Sequence, residues 1–276
     1  MNMLDKEFTN KIKQEIEKSG FPLELEIVET LRSMGILSYP NISFQDENGL
    51  THEIDIFSII FDEKHPWKNG PTGIQLVVEC KKTDKYPWVF FDEGYNPLSD
   101  AFDVGNKVDC STDLIVEGEK FNPVQSIFNS QLVGHHFNNA NLPKCRTHFE
   151  AFKKPNEQTT IYKAISNIFF ARKFFKEWFD KTLKKEEDRG RTFLNHFVIV
   201  LDGLLLFAKK HSGNFDVNEV NHLLLLTFDT EENTHSGLLD NEIVIDVIKK
   251  EYFPDYLKLL KRDAELFNKH LRQLDI

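Results

Sequence analysis

The chain has 276 residues, 40% of them hydrophobic and 28% charged, and a formal net charge of −10. This composition is typical of a soluble globular protein long enough for one elaborated α/β domain, and it contains no repeat or low-complexity tract. No positively charged apolar leader is present, the longest apolar run (residues 197–208) is too short for a membrane span, and three cysteines favour a reducing compartment. These features predict a cytoplasmic protein without a membrane partner.

Two helices and three main strands are predicted in the first section, residues 1–92. A polar amphipathic helix is followed by a break at Ser19 and Gly20, and Pro22 then opens a second helix that ends at Gly35. Alternating and apolar runs predict strands over residues 37–44, 53–61 and 74–82, and a further short strand over 87–91.

The rest of the chain is predicted to extend the same sheet. Residues 93–156 lack a clean periodicity and are interpreted as a loop-rich insertion with a short helix. Residues 157–276 begin with a long helix and end with a closing helix, and between them Asp202-Gly203 predicts a two-residue hairpin. The expected fold class is α/β, with a central mixed sheet flanked by helices and additional C-terminal strands and helix in the same domain.

Three charged side chains stand in two segments that otherwise have the pattern of buried strands. Asp55 lies in His-Glu-Ile-Asp-Ile, and Glu79 and Lys81 lie in Val-Val-Glu-Cys-Lys-Lys. Burying such a group is unfavourable unless it is paired or binds a metal. Side chains two residues apart share a strand face, so Glu79 and Lys81 project together, and a hairpin between the two strands would bring Asp55 beside Glu79.

This pairing of groups predicts a site for a hard divalent cation. Two neighbouring carboxylates repel each other, and Mg²⁺ or Mn²⁺ between them relieves the repulsion. An adjacent lysine can hold a nucleophile or offset the charge on a phosphate. An E-x-K triplet alone has little weight in a chain with 28% charged residues, but the apolar residues on both sides of each segment strengthen the prediction.

The arrangement resembles the PD-(D/E)xK nuclease superfamily, which has the restriction-endonuclease-like fold. The resemblance covers roughly residues 20–92, with Asp55 as the first acid of the motif, Glu79-Cys80-Lys81 as its E-x-K, and Ile54 where the motif has proline. It implies a Mg²⁺-dependent endonuclease that hydrolyses phosphodiester bonds in DNA, in repair or bacterial defence. It also implies that Asp55, Glu79 and the carbonyl of Cys80 hold the metal.

Members of this superfamily often carry a further acid on the helix before the first strand. Helical spacing puts Glu24 on the face of Ile27 and Val28, and Glu26 on the wet face, so Glu24 is the predicted fourth catalytic residue. It would orient the attacking water or a second metal. Lys82 and Trp88 are the predicted substrate-binding residues, through a phosphate contact and base stacking respectively. Core packing is the alternative for Trp88.

The net negative charge is unfavourable for contact with DNA, but the charge is unevenly distributed. Residues 144–191 hold 13 Lys and Arg against 7 Asp and Glu, a net of +6, which leaves −16 for the rest of the chain. This basic section is the predicted phosphate-facing surface. A solvated helix face of mixed charge is the alternative.

Several other functions remain open from the sequence. The chain could be an RNA nuclease, or an inactive nuclease-fold module that binds or regulates within a larger nucleoprotein or defence complex, and a homodimer is possible. Cys145 and His148, with His135, His136 and Cys110, have spacings compatible with zinc, but only one tight ligand pair is present.

Overall fold

The computed structural model describes residues 5–46, 48–62, 72–92, 94, 109–112, 115–116, 119–120, 135–139, 141–154, 157, 159–182, 192–228 and 242–273. These residues include four α-helices: α1 (Lys6–Lys18), α2 (Phe21–Ser33), α3 (Thr160–Thr182) and α4 (Phe253–Gln273). The strands are β1 (Leu37–Gln45), β2 (Thr51–Phe61), β3 (Thr72–Phe91), β4 (Asp109–Thr112), β5 (Ile115–Val116), β6 (Glu119–Lys120), β7 (Lys144–Cys145), β8 (His148–Glu150), β9 (Thr192–His211), β10 (Asn214–Glu219), β11 (His222–Phe228) and β12 (Glu242–Lys249). None of the described helices is long and apolar enough to cross a membrane.

One mixed sheet organises the fold, in the order β1-β2-β3-β9-β12-β11-β7. The pairs β1–β2, β2–β3 and β11–β12 are antiparallel, whereas β3–β9, β9–β12 and β11–β7 are parallel. Strands β4, β8 and β10 pair with the long central strands outside this path. The α/β class with a central mixed sheet flanked by helices, expected from the sequence, is confirmed.

Each face of the sheet buries a separate helical layer. One apolar cluster joins α2 and α4 to side chains such as Ile74, Val78 and Val198. The other joins α3 to Val77, Phe197 and Ile199 on the opposite face. Neighbouring residues of β3 and β9 therefore alternate between the layers, as the period of two requires. Both faces of the central strands are covered, which explains their nearly continuous apolar sequences.

Local sequence signals fix several of the element ends. Asp5 caps α1 by accepting a hydrogen bond from the Glu7 amide at 3.2 Å. Pro22 lies in the first turn of α2, and Gly35 follows the helix with φ 72°. The β1–β2 turn is closed by the Asp46 carboxylate, which accepts from the amides of Asn48 and Leu50, both at 2.9 Å.

The predicted hairpin at Asp202-Gly203 is wrong, because β9 runs straight through both residues and turns only after His211. Gly203 is required there for a different reason. A Cβ on Gly203 would lie 2.6 Å from the Thr83 carbonyl oxygen on the parallel strand β3. The β3–β9 register shifts between Thr83 and Trp88, so the two backbones approach closely at this irregularity. Likewise, the strand predicted over 87–91 is the end of β3.

The section predicted as a loop-rich insertion contributes strands to the main sheet. In its described part, β4 pairs with β9, β8 with β3, and β7 with β11. Much of this section, including most of the predicted short helix, lies outside the described residues. The two helices predicted in the last section are present as α3 and α4.

Candidate functional site

Asp55 lies where β2 separates from β3. The regular pairing of the two strands ends at Ile56 opposite Val78, and the Asp55 Oδ2 atom accepts a hydrogen bond from the Cys80 amide at 2.6 Å. Ile54 and Ile56 are two residues apart in β2, yet they pack on opposite faces of the sheet. The regular alternation of side-chain faces is therefore interrupted at Asp55. The carboxylate thus takes the place of a backbone acceptor and is held against the E-x-K strand.

Lys81 joins the two carboxylates of this region. Its Nζ donates to Glu79 Oε2 at 2.6 Å and to the Cys80 carbonyl oxygen at 3.2 Å, and it lies 3.8 Å from Asp55 Oδ2. Burial by itself lowers the pKa of Lys81, but Glu79 and Asp55 outweigh it and the pKa is raised. The lysine is therefore a fixed positive charge beside two acids.

Glu79 is the deepest member of the site. Its side chain is 1% exposed, compared with 18% for that of Asp55. Oε2 accepts from Lys81 and from the Asn167 amide of α3 at 3.2 Å, whereas Oε1 is buried without a hydrogen-bond partner among the described residues. Burial raises the pKa of Glu79 to about 7, against the lowering effect of Lys81. An additional positive charge at Oε1 would stabilise the ionised form.

Glu24 reaches the same site from α2. Burial, followed by the charges of Asp55 and Glu53, raises its pKa to about 6. With its amide nitrogen turned toward them, Asn41 donates to Glu24 Oε2 and Glu53 Oε1, both at 3.3 Å. Glu26, the other acid considered on α2, is instead exposed and lies 3.4 Å from Lys250 Nζ. We call Glu24, Asp55, Glu79 and Lys81 the acid–lysine cluster.

The remaining predicted site residues have different surroundings. The Cys80 thiol faces the apolar layer of α2 and α4, and its carbonyl oxygen faces Lys81. Lys82 is exposed near the end of α1, where its Nζ donates to the Glu17 carbonyl oxygen at 3.2 Å. Trp88 is fully buried in the layer of α3, so it has no ring face open to a nucleic-acid base. The predicted substrate-stacking role of Trp88 is therefore wrong, and its hydrophobic burial explains its position.

Sequence reasoning did not identify two asparagines at this site. Asn167 is 88 positions from Glu79 and lies on a helix whose pattern indicated only core packing. Asn41 lies opposite the turn in β2 and has a positive φ of 54°, a conformation that asparagine tolerates better than most residues. The apolar residues alternate at positions 37 and 39 and then at 42 and 44, so the change of phase at Pro40 and Asn41 was a local signal.

Part of the basic section is already paired with acids of the chain. Arg172 binds Asp109, with Nη2 donating to Oδ1 at 3.0 Å, and Arg146 binds Glu242 at 2.8 Å. Lys153 donates to Glu150 at 2.6 Å. Residues 183–191 lie outside the described residues. Lys163, in contrast, is exposed on α3 four positions before Asn167, which puts it on the helix side that meets the acid–lysine cluster.

The zinc group considered from the sequence does not form. Cys145 is buried in the α3 layer and its thiol contacts the Leu224 carbonyl oxygen at 3.4 Å. The His148 ring lies 5.8 Å from the Phe90 ring at an angle of 55°. Among the described residues, no set of three metal-ligating side chains within 4.8 Å of one another includes Cys145, His148 or Cys110. His135 and His136 instead join a second buried group with His196, Asp246 and Asp263.

The acid–lysine cluster combines three chemical capacities. It has carboxylate oxygens for a hard cation, a charged amine next to them, and a further carboxyl group that titrates close to neutral pH. The chain matches no protein-family model, no curated protein and no solved structure.

Proposed function

We propose that the protein is a metal-dependent nuclease that hydrolyses phosphodiester bonds in DNA. The observation that carries this proposal is the convergence of Asp55, Glu79 and Lys81 on two neighbouring strands, with Glu79 Oε1 buried and lacking a hydrogen-bond partner among the described residues. The order of elements around it, a helix with Glu24 followed by the antiparallel strands β1, β2 and β3, supports a restriction-endonuclease-like core. The resemblance of the motif to the PD-(D/E)xK superfamily agrees with this assignment.

The residues of the cluster match the requirements of Mg²⁺ or Mn²⁺. Asp55 and Glu79 would hold the ion, with the Cys80 carbonyl oxygen as an additional ligand. Glu79 Oε1 tests this fit, because a buried carboxylate oxygen without a donor is destabilised unless a cation neutralises it. A cation held there supplies positive charge that acidifies water and offsets the developing charge on the phosphate.

The protein groups then have distinct roles in the hydrolysis. Glu24 accepts the proton of the attacking water, for which a pKa of about 6 is well matched to neutral pH. The water oxygen forms a bond to phosphorus as the bond to the leaving oxygen breaks, and that oxygen takes a proton from solvent. Lys81 stabilises the negative charge of the phosphate oxygens, and Glu79, which also accepts from Asn167, keeps its ammonium group in place.

The substrate backbone would be bound by lysines at the rim of the cluster. Lys82 is exposed one residue after Lys81, and Lys163 is exposed on α3 near Asn167. Both can contact phosphates without specifying bases, so this surface favours binding independent of sequence. Asp55, at the more exposed side of the cluster, faces the route by which a phosphate would enter.

The decisive experiment is incubation of the purified chain with linear, supercoiled and single-stranded DNA and with RNA, each in Mg²⁺, Mn²⁺ or EDTA. We expect cleavage of DNA that requires the metal and is lost in Asp55→Ala and Lys81→Ala. Glu24→Gln and Glu26→Gln form a matched pair on one helix, of which only Glu24→Gln should lose activity. Cleavage of RNA alone would change the substrate class. Metal binding without cleavage of any substrate, or activity retained in folded Asp55→Ala or Lys81→Ala, would overturn the proposal.

A further inference from the structure

A second group of buried polar side chains lies on the opposite face of the sheet from Glu79. His196 on β9, His222 on β11 and Asp246 on β12 project into the layer of α4, where Asp263 and the turn residue His136 meet them. We call these five residues the histidine–aspartate cluster. Each is 7% exposed or less, so their polar atoms depend on one another rather than on solvent.

Sheet register explains why three of these residues converge. Asp246 lies opposite Leu224 on β11 and opposite Val198 on β9. His222 and His196 are each two residues from those partners, so all three side chains emerge on one face of three adjacent strands. The convergence depends on the parallel β9–β12 pairing and on the antiparallel β11–β12 pairing together.

Asp246 is the centre of the cluster. Its Oδ1 atom lies 3.0 Å from His136 Nε2 and 2.6 Å from His222 Nε2, and its Oδ2 atom accepts from the Tyr256 hydroxyl at 2.9 Å. Two imidazole nitrogens thus point at a single carboxylate oxygen. The same types of ligand atom, imidazole nitrogen and carboxylate oxygen, converge in transition-metal sites.

His196 is the member of the cluster whose ring nitrogens are not satisfied by hydrogen bonds within the described part of the protein. Its side chain is fully buried, and neither ring nitrogen has a hydrogen-bond partner among the described residues. The nearest carboxylate oxygen, Asp246 Oδ2, is 3.7 Å from Nδ1, beyond hydrogen-bond distance. The ring nevertheless has a nitrogen within 4.8 Å of the ligand atoms of His136 and Asp246. An imidazole buried in this way is destabilised unless it binds something at that position.

We propose that His136, His196 and Asp246, together with His222, form a binding site for a divalent transition-metal ion such as Zn²⁺, separate from the acid–lysine cluster. His136 would coordinate through Nε2, because its Nδ1 is held by Asp263 Oδ2. A carboxylate on the distal nitrogen of a ligating histidine is the usual orienting partner in metal sites. Tyr256 fixes Asp246 in the same way.

The ligand types select the class of metal. Imidazole nitrogens with one carboxylate favour Zn²⁺ and related ions, whereas Mg²⁺ prefers oxygen ligands and retains its waters. The ion has a route of entry, because His136, His222 and Asp263 line a pocket of about 480 Å³.

The test uses the full chain in the Asp55→Ala background, which removes a carboxylate from the acid–lysine cluster and leaves the histidine–aspartate cluster intact. The protein is stripped with EDTA, exchanged into chelator-free buffer, and titrated with Zn²⁺ and separately with Co²⁺. We expect about one Zn²⁺ retained per chain by elemental analysis, a higher melting temperature with Zn²⁺, and the intense visible absorption of four-coordinate Co²⁺.

Three substitutions in that background locate the binding. His196→Gln and His222→Gln should each weaken Zn²⁺ affinity at least about 10-fold and remove the intense Co²⁺ bands. His211→Gln, at an exposed histidine at the end of β9, is the matched control and should bind like the parent. Circular dichroism checks that each variant folds. If either variant fails to fold, the Co²⁺ spectrum of the parent decides whether the chain binds a metal ion in a four-coordinate site. Absence of retained Zn²⁺ in the parent, or equal affinity in all three variants, would show that the cluster is a hydrogen-bonded structural network and overturn the proposal.

Discussion

Glu79 and Lys81 of the acid–lysine cluster lie on the opposite face of the sheet from the histidine–aspartate cluster, and the two clusters differ in chemistry. The first has carboxylates with one lysine, and the Asp55 side chain remains 18% exposed. The second surrounds the fully buried Asp246 with imidazoles and a tyrosine hydroxyl. Oxygen ligands near solvent suit a hard cation and a phosphate substrate, whereas buried nitrogen ligands suit a transition metal. The comparison teaches that one sheet can carry two sets of side chains whose ligand types favour different metals.

The largest expected effect is loss of DNA cleavage when the acid–lysine cluster is changed and the histidine–aspartate cluster is left intact. Asp55→Ala and Lys81→Ala each remove a group that contacts the reacting phosphate or its metal in the proposed mechanism. We expect DNA cleavage rates to fall at least about 10³-fold, which corresponds to about 4 kcal/mol in the activation barrier. Single-turnover cleavage with Mg²⁺ measures this loss, and Zn²⁺ retention should stay at the wild-type level in both variants. A comparable fall in Zn²⁺ retention would show that the clusters are one site.

The next largest effect concerns stability. Asp246→Asn removes the carboxylate that His136 and His222 share, leaves His136 with that of Asp263, and weakens the hydrogen bond from Tyr256. We expect the free energy of unfolding to fall by about 3 kcal/mol, because breaking a buried charge network is strongly unfavourable. Urea denaturation in EDTA measures it. Asp216→Asn, at an exposed aspartate of β10, is the control and should change the stability little.

A third effect follows from the raised pKa of Glu79, about 7 compared with an ordinary 4.5. The folded chain binds this proton more tightly than the unfolded chain, so the metal-free protein loses stability as the pH rises from about 4.5 to about 7. Glu79→Gln removes that loss. Its stability relative to wild type should therefore increase by on the order of 2 kcal/mol across this range, measured by urea denaturation at several pH values in EDTA. A Glu79→Gln curve parallel to that of wild type would contradict the prediction.

The smallest expected effect tests how substrate reaches the acid–lysine cluster. Lys163→Ala should raise the KM for DNA a few-fold with kcat unchanged, and should reduce the salt dependence of binding by about one phosphate contact. Lys258→Ala is the control, since Lys258 is exposed on α4 and paired with Asp255 at 2.7 Å. Steady-state cleavage at several salt concentrations gives KM, kcat and their salt dependence for both variants. Equal effects of the two substitutions would place the phosphate-binding surface elsewhere.

The acid–lysine cluster could be found in the sequence because its central residues are only 26 positions apart, from Asp55 to Lys81, on strands joined directly in the chain. Charged residues in apolar strands are visible without knowledge of the fold, and the period of two assigns their faces. The same logic distinguished Glu24 from Glu26 on α2. The same reasoning failed for Trp88, because an aromatic side chain in a strand is more often buried in the core than exposed to a substrate.

The amino-acid sequence by itself determined the four long helices, the strands of the first section, the pairing of β2 with β3, and the group of Asp55, Glu79 and Lys81. These depend on local periodicity and short-range pairing. Tertiary structure alone decided that β9 continues through Gly203, where the close approach of Thr83 leaves no space for a side chain. It also decided the partnership of His136, His196 and Asp246, which are separated by up to 110 positions. Parallel strand order and helix packing bring such residues together, and no local pattern records those long-range contacts.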